Sequence, residues 1–130
     1  MRLLLDTHFI IWLICDPNQL RARERELLSS TERSLFVSTI SLWELRTKAE
    51  AERRRGRKSA LLPGPALAIL RGGDFDIIDL TPDDCAAGLV SPLEHADPFD
   101  MMLLVHAQRL DARLLTRDSK LRDHPLALVP

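Results

Sequence analysis

Apolar and polar positions divide the chain into short apolar runs separated by longer amphipathic stretches. The first run, Leu3-Leu4-Leu5, lacks the alternation of a one-sided strand and ends in Asp6. Such a run predicts a central strand of a parallel sheet, covered on both faces. Further strands are predicted at residues 35–39, 75–80 and 114–116, and residues 126–129 supply a fifth at an edge. Strands alternate with helices and no repeat interrupts them, so the fold class is α/β. The expected form is a three-layer domain over residues 1–130, with a central parallel sheet of four to five strands flanked by helices.

Helix signals fill the intervals. Residues 8–15 are apolar at most positions and predict a short helix on the sheet. Asp16-Pro17 reads as an N-cap and first helical residue of a helix running to about Ser29, with Leu20, Leu27 and Leu28 inward and its Arg and Glu residues in water. Ser41-Leu42-Trp43-Glu44 has the capping-box pattern and opens another helix, closed by Arg53-Arg54-Arg55-Gly56-Arg57-Lys58. Leu62-Pro63-Gly64-Pro65 reads as loop, followed by a short helix over residues 66–70 that ends at Gly72-Gly73. Thr81-Pro82-Asp83-Asp84 starts a further capped helix. After a loop at residues 91–96, Asp97-Pro98-Phe99-Asp100 begins a long helix to about Leu110, in which the apolar run from Met101 to Val105 predicts burial on several sides.

The acids at these junctions are the candidate chemistry. Asp6 leaves the first strand, Glu44 follows the second, Asp97 and Asp100 start the long helix, and Asp118 follows the fourth strand. Each has a local role available as a cap or turn residue. Together they fall where an open parallel sheet binds ligands, at the carboxyl ends of its strands. Carboxylates gathered there repel by about 3 kcal/mol per pair at ~5 Å and an effective dielectric near 20, so a cation must offset them. Hard oxygen donors of this kind select Mg²⁺ or Mn²⁺.

Composition narrows the partners. With 130 residues, 45% hydrophobic and 28% charged, the chain suits one globular core rather than disordered tails. A net charge of -1 argues against a broad basic surface for nucleic acid, so a polyanion has to be held locally. Lys48, one turn after Glu44, reads as its ion-pair partner or as a phosphate contact, and Arg53, Arg54, Arg55, Arg57 and Lys58 as a solvated helix end or an RNA grip. Cys15 and Cys85 lack any paired spacing and are expected as buried, reduced thiols. His8, His95, His106 and His124 lack metal-ligand spacing and are expected to pack, which leaves a zinc site unsupported. Few aromatics and no Tyr give little support to a stacking platform. No run approaches the ~18 apolar residues of a membrane span or forms a signal-peptide core, and the expected location is the cytoplasm, with no membrane partner.

Asp6-Thr7, Ser41-Leu42-Trp43-Glu44, His95-Ala96-Asp97-Pro98-Phe99-Asp100 and Thr116-Arg117-Asp118, in this order, resemble the PIN-domain ribonucleases, specifically the toxin subunits of VapBC-type toxin–antitoxin pairs. The resemblance covers essentially the whole chain. It implies a PIN fold, a Mg²⁺- or Mn²⁺-dependent endoribonuclease that leaves a 3′-hydroxyl and a 5′-phosphate, a homodimer, and inhibition by a small antitoxin. Matched by motif, Asp6, Glu44, Asp100 and Asp118 take the family's four acidic positions, with Asp97 as an orienting residue or a ligand through water. Thr7, Ser41 and Thr116 are candidate hydroxyls behind the carboxylates. Met101 stands where relatives often carry Arg, so the resemblance carries no phosphate contact to that position.

Two other classes compete. A catalytically silent PIN-like module for dimerisation and partner binding would use the acids only as caps. A phosphatase or receiver domain lacks its residues: the DxDxT pattern needs Asp at position 8, which is His8, and a receiver's acidic pair and strand-end Lys are absent.

Overall fold

The computed structural model describes residues 1–94 and 97–130; His95 lies outside them. Five strands form one parallel sheet: β1 (Arg2–Leu5), β2 (Ser34–Ser38), β3 (Asp76–Ile78), β4 (Arg113–Leu115) and β5 (Ala127–Leu128), in the order β3-β2-β1-β4-β5. The chain starts at the centre, builds outward through β2 and β3, then returns to the other side of β1. The order therefore reverses between β1 and β4, and the crevice above their carboxyl ends is where such sheets take ligands.

The three leucines of β1 explain the layering. Leu3 and Leu5 point to one face, where they pack with Phe9, Ile10, Val37, Leu45 and Leu70. That face is covered by α1 (Thr7–Cys15), α2 (Ala22–Ser29), α3 (Thr39–Arg54) and α4 (Pro63–Arg71). Leu4 points the other way, to Phe36, Leu103, Leu104 and Leu114 under α6 (Pro98–Leu110), and the short α5 (Pro82–Ala86) packs against α6. Side chains that alternate across the pleat thus serve two separate cores, so neither face tolerates a polar position.

Several local expectations are corrected. The segment after Asp16 is not one helix: Pro17–Gln19 form a single 3-10 turn, the chain extends at Leu20, and α2 starts afresh at Ala22. Asp16 makes no side-chain cap; the capping carboxylate is Glu24, whose Oε1 accepts from the Arg21 N–H at 2.7 Å. Glu24 does not face water but is fully buried, because Arg117 reaches it from beyond β4. Helix α3 begins at Thr39 with Ser38 as N-cap, so Ser41 is a buried residue inside the first turn and Glu44 caps nothing. Pro63 opens α4 as its first residue, where a missing N–H costs nothing. Met101 is substantially exposed, and both cysteines are free and exposed.

Candidate active site

Asp6 is fixed from three directions. Its N–H donates to the Leu115 carbonyl at 3.0 Å, which extends the β1–β4 ladder one residue beyond the strands. Its side chain caps α1, accepting from the His8 N–H at 3.3 Å, and its other oxygen accepts from the Thr116 hydroxyl at 2.6 Å. Burial works against the charged carboxyl, but the bonds from His8 and Thr116 and the nearby His8 ring outweigh it, and the pKa lies below the ordinary value. Asp6 therefore stays ionised although it is buried. Thr116 also receives the Asp118 N–H at 3.1 Å, so one hydroxyl sets the spacing of two acids. Asp118 itself caps a 3-10 turn at Ser119–Leu121 through Lys120 N–H at 2.9 Å.

Glu44 comes from the opposite side. It is one and a half turns into α3, and its Oε1 accepts from the Thr7 hydroxyl at 2.7 Å. Thr7 has one hydroxyl proton and gives it to the carboxylate, which leaves Ser41 Oγ, 3.0 Å from Thr7, as donor in the second contact. Thr7 and Ser41 are fully buried, so this relay fixes the rotamer of Glu44 without water. The Glu44 Oε2 lies 3.3 Å from Lys48 Nζ, the ion pair expected one turn on.

Helix α6 delivers the remaining acids. Asp97 is its N-cap, with Oδ1 accepting from the N–H groups of Phe99 and Asp100 at 2.9 and 3.1 Å, and Pro98 fixes the first turn. Asp100 lies in that turn on the same side of the sheet edge.

These four origins converge. Asp6, Glu44, Asp97, Asp100 and Asp118 line one open hollow of about 370 Å³, together with His8, Trp12 and Arg117. Arg53, Arg54, Arg55, Arg57 and Lys58 do not line it. Arg53, Arg55 and Arg57 instead pair with Glu50 and Glu52 at the end of α3, the solvated arrangement.

Among the described residues the lysine and arginine nearest the hollow are already paired. Lys48 offsets Glu44, and Arg117 is committed to Glu24 through two bonds, one of them 2.7 Å from Nε. Among the described residues no three carboxylate, thiolate or imidazole groups are arranged to hold a metal ion together. The donors that line the hollow are carboxylate oxygens, a set whose chemistry suits a hard dication and disfavours ions that need nitrogen or sulfur ligands.

Sequence reading missed Trp12 and Arg117 in this wall and Glu24 behind it. Glu24 is the buried anchor of Arg117, which lies between two residues that the motifs already marked. Trp12 lies one helical turn after His8, a spacing that could have indicated a shared face. Away from the hollow, Ser38, His106 and Asp84 form a chain that looks like a hydrolytic triad: Ser38 Oγ lies 2.8 Å from His106 Nδ1, and His106 Nε2 lies 3.1 Å from Asp84 Oδ2. The second contact is not a well-formed hydrogen bond. All three residues are buried, leaving no route for a substrate, and the arrangement is structural.

Comparison with known proteins agrees with this architecture. The PIN domain family model matches residues 3–125. Over 124 residues the chain is 29% identical to ribonuclease VapC22 of Mycobacterium tuberculosis, spanning 93% of this chain and 90% of that protein. Among solved structures, VapBC2 of Rickettsia felis bound to a promoter DNA fragment aligns over 100% of this chain and 98% of its own, with a TM-score of 0.63 and 19% identity. DNA-bound VapBC of Salmonella typhimurium aligns over 100% and 97%, with a TM-score of 0.58 and 23% identity. At these identities the two structures speak for the fold.

Proposed function

The chain belongs to the PIN-domain family, and from that premise we propose that its acid-lined hollow is the catalytic centre of an endoribonuclease that serves as the toxin of a toxin–antitoxin pair. The observation that carries the reading is convergence: carboxylates from four separate segments line one hollow at the reversal point of the sheet. The M. tuberculosis relative carries the name ribonuclease, and the two solved neighbours are VapBC complexes, which supports RNA as substrate and a small antitoxin as partner. A cytoplasmic homodimer belongs to the same proposal; no helix among the described residues is long and apolar enough to cross a membrane.

Asp6, Glu44, Asp100 and Asp118 would hold Mg²⁺ or Mn²⁺, with Asp97 orienting the α6 turn or binding through water. When bound, such an ion supplies Lewis acidity that eases ionisation of the attacking water and offsets charge developing on the phosphodiester. The protein's part is placement. Thr116 keeps Asp6 ionised and Asp118 in register with it, while Thr7 and Ser41 hold Glu44. Fixed carboxylates need little reorganisation when charge develops at the scissile bond. Lys48 does not line the hollow but pairs with Glu44 at its edge, and is a candidate contact for the departing strand.

The test is cleavage of single-stranded RNA by the purified chain in Mg²⁺ or Mn²⁺. The parent is expected to cut, leaving 5′-phosphate ends, and Asp6→Asn to lose more than the roughly 10–100-fold typical of residues behind a metal ligand. Mn²⁺ at about 100 times its dissociation constant should stabilise the parent by about 2.7 kcal/mol and leave Asp6→Asn unmoved. Equal cleavage by the two proteins would overturn the assignment. The rival reading, a silent interaction module, draws on the capping roles of Asp6, Asp97 and Asp118, and predicts no saturable Mn²⁺ effect.

A further inference from the structure

One wall of the hollow is aromatic, and none of its chemistry is used by the proposal above. His8 and Trp12 lie one turn apart on α1 with ring centroids 5.7 Å apart and a 35° tilt. The Arg117 guanidinium lies 4.0 Å from the Trp12 ring centroid, and Phe9 meets the same indole edge-on at 5.2 Å. Arg117 is itself held by the buried Glu24 carboxylate and by the Gln19 carbonyl. Trp12 is therefore clamped, and the His8 ring in front of it is the exposed end of the stack, with 56% of its side chain in water.

We infer that His8, backed by Trp12 and Arg117, is a stacking site for one unpaired nucleobase of the RNA, next to the bond that is cut. The inference rests on the ribonuclease reading and deepens it. Among the described residues Lys48 and Arg117, the lysine and arginine beside the hollow, are already engaged by Glu44 and Glu24, so they offer little grip on the nucleotides that flank the scissile phosphate. A contact that carries little charge supplies a hold on the adjacent nucleotide that those side chains do not. Stacking of a base on an aromatic ring is such a contact, and unstacked bases of single-stranded RNA take it from His, Trp and Arg planes. The contact is prepared in advance, because the ring behind His8 is fixed before any substrate arrives. His8 Nδ1 lies 3.7 Å from Asp6 Oδ1, so a base on this ring lies beside the carboxylates. The substrate class that follows is single-stranded or looped RNA, since a paired base cannot leave its helix to reach the ring without first unstacking.

The experiment reads binding separately from cutting. The chain has two tryptophans, so Trp43→Phe leaves Trp12 as sole reporter. With chelator present, a single-stranded RNA 8-mer is titrated into this protein and into its His8→Ala and His8→Phe versions, and fluorescence is followed. The expected result is quenching of Trp12 in the first, binding about tenfold weaker in His8→Ala, and recovery in His8→Phe, which keeps the ring face but not the nitrogens. An 8-mer with one abasic unit at the stacked position should bind as weakly to the parent as the intact 8-mer binds to His8→Ala. Unquenched Trp12, or equal loss in His8→Ala and His8→Phe, overturns the stacking role. Cleavage in Mn²⁺ is run beside it: RNA that is cut while Trp12 stays unquenched sinks the stacking alone, and quenching without any cut sinks the nuclease reading alone.

Discussion

Two buried aspartates in this protein have opposite surroundings. Asp84 lies under α6 with its charge matched: Arg109 reaches it with Nε at 2.6 Å and Nη2 at 2.9 Å, and the Thr81 N–H adds a third bond at 3.0 Å. Burial opposes its ionisation, but these donors pull its pKa down to about 2. Asp6 is held by an N–H, a hydroxyl and the half-exposed His8 ring at 3.7 Å, with no arginine or lysine paired to it among the described residues, and its neighbours across the hollow are further carboxylates. The first aspartate is neutralised by the fold itself. The second is kept ionised with only a solvent-facing imidazole as a titratable counter-charge, which leaves work for a cation from solution. A buried acid's function is thus decided by whether its partner is a permanent, buried charge or only dipoles and a titratable ring.

The sharpest break of this comparison sets Asp118→Asn against Asp84→Ala. Asp118→Asn should lower RNA cleavage by more than about 100-fold, beyond the loss typical of a residue behind a metal ligand, with the urea midpoint retained or raised. Asp84→Ala should cost about 3 kcal/mol in urea unfolding, the low end for breaking a buried pair because Arg109 can reach water. The folded fraction should still cut RNA. If both variants lost stability alike, the distinction between the two aspartates would collapse.

The pH dependence sharpens it further. An aspartate whose folded pKa is about 2, against an ordinary 3.8, stabilises the fold above pH 4 and loses that contribution as pH falls toward 2, roughly 2 kcal/mol in total. His106 adds to the same slope. Burial holds it neutral against the pull of Asp84, so its folded pKa is below 6.5 and the unfolded chain takes up a proton first as pH drops below that value. Urea midpoints should therefore fall from pH 6.5 downward and again below pH 4, and Asp84→Asn should flatten the lower step.

Thr116→Val tests the neutral hold on Asp6. Removing the 2.6 Å donor raises the Asp6 pKa toward the ordinary value and loosens Asp118, and cleavage at pH 6–7 should fall by about 10–100-fold with the fold intact. The smallest effect is expected for Lys48→Ala. This pair at 3.3 Å is on a helix surface with Lys48 41% exposed, so stability should change by under about 0.5 kcal/mol. A loss above 1 kcal/mol would mean that Glu44 is fixed by Lys48 rather than by Thr7 and Ser41.

The acids were legible one by one because each stands at a strand or helix end with a local signature: Asp6 after three leucines, Asp97 before Pro98, Asp118 after Leu115 and Thr116. The same local signature misled at Ser41, whose spacing to Glu44 copies a capping box although the helix starts at Thr39. Glu24 was misread for a related reason. Its neighbours on α2 are charged and exposed, and nothing within four residues reveals that an arginine 93 positions later will bury it.

Sequence alone determined the order of elements, the parallel sheet with β1 at its centre, and which carboxylates stand at the sheet edge. Those follow from periodicity and capping, which act between residues a few positions apart. Tertiary structure alone decided which acids are balanced, that Thr116 would meet Asp6 across 110 positions, and that His8, Trp12 and Arg117 would share a wall. Such pairings exist only once β4 lies beside β1. Charge and stacking act through space, and distance in space is set by the closed fold rather than by any interval along the chain.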